Sequence, residues 1–89
     1  MYTIYILKRK EGIKMVFYNN GMTCKIVSLN NVGEGKAEHA LIHLCDGQHY
    51  SWIVAVLFRF SEKENKCLWG QGHYFEKEED ARRYYKSQI

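Results

Sequence analysis

Short runs of apolar, β-branched and aromatic residues, separated by turn residues, divide the first thirty positions of the chain. Residues 2–9 (YTIYILKR) are apolar on both faces and predict a strand that is covered on both sides. Residues 13–18 (IKMVFY) and 22–29 (MTCKIVSL) predict two more strands. The Asn-Gly pair between them suits a tight hairpin turn, because both residue types tolerate positive φ. Together these segments predict a three-stranded meander.

The middle of the chain predicts a loop followed by a second hairpin. Residues 30–38 (NNVGEGKAE) have no periodicity and predict a long loop, either a plain connector or a segment that carries contacts. Residues 39–45 (HALIHLC) would suit two helical turns or a strand, and the Asp-Gly that follows favours the strand. Its partner is expected at residues 48–60, which are apolar on both faces and indicate a central strand or one bent across two layers.

The last third of the chain predicts one more strand and a helix. Residues 67–75 predict a strand that is broken at Gly70-Gln71-Gly72, where we expect a bulge or a close approach of the backbone. A helix is expected from residue 77 to about 87, because acidic residues crowd its start and basic residues its end. The predicted fold class is α+β: a single, mostly antiparallel sheet of about five or six strands, with one C-terminal helix packed on it.

Length and composition limit the function. The chain has 89 residues, a formal net charge of +3 and 15% aromatic residues. This length predicts a single domain over residues 1–89, with a core too thin for a deep catalytic cleft. No apolar run is long enough to predict a membrane helix, so no membrane partner is expected. The odd number of widely spaced cysteines favours reduced thiols and a cytoplasmic location.

The residues that could carry catalysis or bind metal form no recognisable motif. Cys45, near His43 and His49, is the one candidate nucleophile, and no catalytic motif surrounds it. His39 and His43 would lie about 13 Å apart on a strand, which is too far to chelate one ion; on a helix they would be neighbours. We therefore expect neither an enzyme nor a cofactor, and no metal site.

Aromatic residues in the second half are the main candidates for binding a partner, although each would equally suit the core. The predicted binding residues are Tyr50, Trp52, Trp69 and Tyr74, with Gly33 and Gly35 of the predicted loop. Replacing Trp69 with Ala is expected to weaken partner binding and to leave the fold intact, whereas unfolding of that variant would place Trp69 in the core.

The meander YTIYILKRKEGIKMVFYNNGMTCKIV and the ending YFEKEEDARRYYKSQ resemble, in size and style, small phage and mobile-element proteins that inhibit host defence, including anti-CRISPR proteins. The resemblance implies a non-enzymatic inhibitor that binds a host protein or a ribonucleoprotein complex. It assigns no role to any individual residue. Such inhibitors often present acidic surfaces, and the net positive charge of this chain counts against simple mimicry of DNA.

Two alternatives remain open. The first is a nucleic-acid-binding module with a basic, aromatic sheet face, which would lose affinity steeply with salt. Its predicted contacts are Lys8, Arg9, Lys10, Lys14 and Arg59, with Tyr50 and Trp52. The second is a protein that sequesters a small molecule such as a nucleotide, through residues 30–38, the GQG segment and Trp69. Exposed strand edges would also allow a homodimer.

Overall fold

The computed structural model describes residues 15–19, 21–45, 49–61 and 63–89 of the chain. These residues form six strands and one helix, so the α+β class is confirmed. The elements are β1 (Met15–Asn19), β2 (Met22–Gly33), β3 (Lys36–Leu44), β4 (Trp52–Ser61), β5 (Lys66–Leu68), β6 (Gln71–Phe75) and α1 (Glu78–Gln88). All strand pairs are antiparallel except β1 with β5. The strand predicted at residues 2–9 lies outside the described residues.

The sheet closes on itself. Its strand order is β3-β2-β1-β5-β4-β6, and β3 also pairs with β4, so the first five strands form a barrel. The closing contact joins Tyr18 to Lys66, and the Tyr18 amide donates a hydrogen bond of 3.2 Å to the carbonyl of Asn65. The predicted single, mostly antiparallel sheet is confirmed, but it is closed into a barrel and not open. Alternation along a strand specifies its two faces, but it does not specify which strand edges meet.

Residues 30–38 form the end of a long hairpin, so the prediction of a loop is wrong. β2 and β3 pair as far as Gly33 and Lys36, and only Glu34 and Gly35 make the turn. The alternation of apolar and polar residues that marks a strand is interrupted here, because Asn31 has a φ of +61° within β2. The turn is also tied to the barrel, since the Phe60 amide donates a hydrogen bond of 2.8 Å to the Gly35 carbonyl.

β4 is buried on both faces over its first half, as its apolar sequence predicts. Ile53 and Ala55 point into the barrel, whereas Val54 belongs to a second cluster under the helix. Leu57 then adopts a φ of +58°, after which Phe58 faces the barrel interior. The alternation therefore shifts by one residue at Leu57. β4 is a central strand, with β3 on one edge and β5 and β6 on the other.

The helix covers the outer face of β3 and β4. Ala81 and Tyr85 are buried against Leu41 and Val54, which confirms the predicted packing of this stripe on the sheet. The Tyr85 hydroxyl lies 3.1 Å from the Ser28 hydroxyl and fixes the helix to β2. Among the described residues, no helix has the length and apolar character needed to cross a membrane.

The predicted last strand is two strands. β5 and β6 follow the same edge of β4, and the break between them lies at Trp69 and Gly70. Because of this break, β6 lies outside the ring of five strands. β5 continues the ring from β4 to β1, whereas β6 pairs with β4 alone among the described strands.

Candidate functional site

Trp69 and Tyr74 line an open groove of about 410 Å³ at one end of the barrel. Trp69 lies in the break between β5 and β6, and Tyr74 lies on β6. The other lining residues are Asn19, Met22, Leu44, Ile53, Leu68, Gly70 and Gly72. The groove therefore combines two of the predicted binding residues with apolar side chains from the rim of the barrel.

The absence of a side chain at Gly72 leaves room for the rings of Trp69 and Tyr74. A Cβ atom on Gly72 would lie 2.9 Å from Nε1 of Trp69 and 3.1 Å from Cε1 of Tyr74. Contacts this short mean that both rings lie directly over the Gly72 backbone, and any side chain there would displace at least one of them. The close approach predicted for the GQG segment is thus confirmed at Gly72.

The two aromatic residues differ in exposure. Tyr74 is 51% exposed, whereas Trp69 is half-buried and packs against the barrel core. Trp69 consequently lines the groove and also contributes to the packing of the barrel core. Tyr74 presents more of its ring to a partner, so its substitution separates binding from folding better than substitution of Trp69 does.

The groove lies beside the outer edge of β6, the last strand in the order of the described sheet. β6 pairs with β4 along one edge, and no other described strand pairs with its second edge. β1 ends at Asn19, which lines the groove, before the chain turns back into β2. The free edge of β6 carries peptide N–H and C=O groups that an extended chain is able to pair with.

Trp52 and Tyr50 lie outside this groove. Trp52 stacks on His43 with ring centroids 4.3 Å apart, and the Arg82 guanidinium lies 6.0 Å from its ring centroid. It therefore serves the contact between helix and sheet. Tyr50 is 50% exposed and meets the His49 ring edge-on at 4.8 Å.

Gly33 and Arg59 line a separate cleft of about 340 Å³. Because residues 30–38 belong to a hairpin whose tip is bonded to β4, they do not join Trp69 in one pocket. The small-molecule alternative relied on that combination, and its expected site is therefore divided between two places. The predicted contacts Lys8, Arg9, Lys10 and Lys14 lie outside the described residues.

The histidines with described partners are engaged in ordinary contacts. Nε2 of His49 contacts a carboxylate oxygen of Glu76, and Nε2 of His73 lies 3.3 Å from the Tyr84 hydroxyl. Nδ1 of His39 is buried with no hydrogen-bond partner in the described part of the chain. Within the same residues, no three His, Cys, Asp or Glu side chains group in a way that would hold a metal ion.

None of the three cysteines forms a disulfide, and Cys24 and Cys67 are buried. The pKa of the Cys67 thiol is raised far above its ordinary range. The main cause is a hydrogen bond with Cys24, and burial is the second. Cys67 therefore stays protonated at physiological pH and is a poor nucleophile. Cys45 is exposed, and its Sγ lies 3.8 Å from the carbonyl oxygen of His43 rather than beside a base.

Sequence reasoning missed the contribution of the barrel rim to the groove. Met22 and Leu68 look like ordinary strand residues, and only the closure of the barrel brings them beside Tyr74. A glycine between two nearby aromatic residues was the one available signal for the aromatic pair. No family model matches this chain, and no solved structure matches it.

Proposed function

We propose that this chain is a non-enzymatic binding protein that takes an extended segment of a partner protein into the groove beside β6. The observation that carries this proposal is the aromatic pair of Trp69 and Tyr74 next to an edge of β6 that no other described strand pairs with. Exposed aromatic rings supply much of the binding energy at protein interfaces, and a free edge supplies main-chain hydrogen bonds.

The groove and the outer edge of β6 suit an extended peptide, whose backbone groups point sideways and whose side chains alternate between two faces. The peptide backbone would pair with β6, and every second side chain would then point toward the groove. Tyr74 and Leu68 are each more than half exposed and would contact an apolar anchor of the partner. Gly72 keeps the floor of the groove free of a side chain.

The resemblance to inhibitors of the anti-CRISPR type makes the proposed partner a protein component of a host-defence complex, including a ribonucleoprotein. Inhibition would then follow from occupation of a surface that the complex needs. An open groove suits this role, since binding by strand addition requires an accessible edge and no walled cavity.

The test compares two tyrosines of equal exposure. Tyr74→Ala removes a ring from the groove, whereas Tyr50→Ala removes a ring of 50% exposure outside it. Tagged wild type and both variants are used to capture partners from host lysate, with and without nuclease. We expect Tyr74→Ala to weaken capture of one protein about 30-fold or more, and Tyr50→Ala to leave it unchanged.

A photo-crosslinking amino acid at position 74 then identifies the bound segment by mass spectrometry. We expect one short segment of the captured protein to be labelled, and a synthetic peptide of that segment to compete for binding. Equal capture by both tyrosine variants, or labelling spread over the partner surface, would refute the groove as the binding site.

A further inference from the structure

A continuous row of exposed side chains runs across the outside of the barrel and meets the groove only at Leu68. Residues paired across neighbouring strands lie on the same face of a sheet, and diagonal neighbours are also within reach. The row, here called the cationic stripe, consists of Lys36, Arg59, Leu68, Lys66, Tyr18 and Lys25. All six side chains are exposed, whereas the intervening Phe17 and Cys67 are buried in the barrel.

The cations of the stripe have no ion-pair partner in the part of the chain that the structure describes. Within the described ranges, none of its four Lys and Arg side chains forms an ion pair, whereas Arg82 and Arg83 on the helix are paired with Glu78 and Asp80. Glu38, in the cleft beside Arg59, and Glu64, in the turn before β5, make no such pair with the stripe either. Unpaired cations in a row suit the phosphates of a polyanion.

Tyr18 adds an aromatic platform to this row. Its side chain is 51% exposed and lies directly across from Lys66, with Lys25 diagonal to it on β2. A base stacked on the ring would have its neighbouring phosphates within reach of both lysines. Stacking of this kind accepts any base, because every base has a flat π face.

We propose that the cationic stripe binds single-stranded nucleic acid. The stripe crosses from β3 through β4, β5 and β1 to β2, and therefore follows the curved outside of a closed barrel. A flexible single strand is able to follow such a surface, whereas a duplex is stiff over about 150 base pairs. The only described helix packs its buried stripe on the sheet and does not project toward a groove of a duplex.

The first measurement is binding of the full chain to fluorescently labelled single-stranded DNA and RNA of about 15 nucleotides, followed by anisotropy. With four phosphates contacted, the slope of log affinity against log salt is expected to be roughly −3. Arg59→Ala/Lys66→Ala is expected to weaken binding about 10-fold or more and to make that slope shallower by about 1.4.

The chain offers a control that is matched in charge and residue type. Arg83→Ala/Lys86→Ala also removes one Arg and one Lys, but from the exposed surface of α1. We expect this control to change affinity less than about twofold at moderate salt, because its cations lie away from the stripe. Thermal unfolding of each variant checks the fold, and the corresponding Gln substitutions replace any variant that unfolds.

A second pair of variants tests the aromatic platform. Tyr18→Ala is expected to weaken binding about 5- to 100-fold, since it removes one stacked base. Tyr74→Ala, at a side chain of equal exposure in the groove, is expected to retain it. Equal losses in the two double variants, equally tight binding of a duplex of the same length, or no binding at micromolar protein in low salt would each overturn the proposal.

Discussion

Leu57 is the residue at which the inward-facing positions of β4 shift by one along the chain. Its φ of +58° is costly for a bulky L-residue, and its side chain is 65% exposed. The neighbouring residues hold it there, because Val56 pairs with both His39 and Gln71 while Phe58 is fully buried. The strain therefore has a structural purpose: it moves the inward-facing positions of β4 by one residue.

Leu57→Gly is expected to keep the free energy of unfolding unchanged or to raise it by up to about 1.5 kcal/mol. Glycine relieves a cost of roughly 1–2 kcal/mol for the left-handed conformation, which offsets its own entropic cost of about 0.5–1 kcal/mol. Leu68→Gly is the control, since Leu68 is 53% exposed and has no positive φ. Urea unfolding measures both. Destabilisation of the two variants by the same amount would contradict the assignment of strain.

At the scale of elements, the attachment of α1 depends on a small buried contact with one polar bond. Ala81 and Tyr85 supply the buried side chains, and the hydroxyls of Tyr85 and Ser28 meet within the packed interface. Burial raises the pKa of Tyr85, and the hydrogen bond with Ser28 opposes that change in part. The helix therefore packs best when Tyr85 is protonated.

The stability conferred by α1 should fall at alkaline pH. Because the pKa of Tyr85 is raised in the folded state, its contribution is complete below a pH of about 10, where tyrosine in the unfolded chain ionises, and it declines as pH rises further. Tyr85→Phe is expected to cost about 0.5–1.5 kcal/mol at neutral pH and to lose less stability above pH 10 than wild type does. Urea unfolding at both pH values tests this. Identical pH dependence in wild type and variant would refute it.

For the whole molecule, closure of the barrel is the central feature. Phe17 on β1 is buried inside the ring and meets Phe60 of β4 with ring centroids 5.9 Å apart. β1 and β4 flank β5, so this contact passes over Cys67 on the inner face of the sheet. It depends on the pairing of β1 with β5, and a sheet that opened there would lose it. The same closure places Tyr18 and Lys66 side by side on the outside and so creates the cationic stripe.

Phe17→Ala is therefore expected to lower the free energy of unfolding by about 3–5 kcal/mol, as for other large aromatic residues removed from a core. Tyr18→Ala, at the next position but on the outer face, is expected to change it by less than about 0.5 kcal/mol. Chemical denaturation of the two variants measures the difference. Similar values for both would show that β1 is not part of a closed ring.

The candidate site was only partly predictable from the sequence. Trp69 and Tyr74 were recognisable as candidates for binding a partner, because large aromatic residues flank a glycine there. Trp52 looked equally suitable, yet it is covered by Arg82 and stacked on His43. The helix explains why Trp52 differs from Trp69 and Tyr74: it covers the face of β4 that carries Trp52 and leaves the groove open.

By itself, the sequence determined the elements: the strand pattern, the Asn-Gly turn and the charge order of the helix act over a few neighbouring residues. The tertiary structure decided what those elements enclose. The pairing of β1 with β5, the hairpin over residues 30–38 and the aromatic pair over Gly72 all depend on segments that meet in space. Local periodicity carries no information about such meetings, because edge pairing and side-chain packing are settled only when the whole barrel closes.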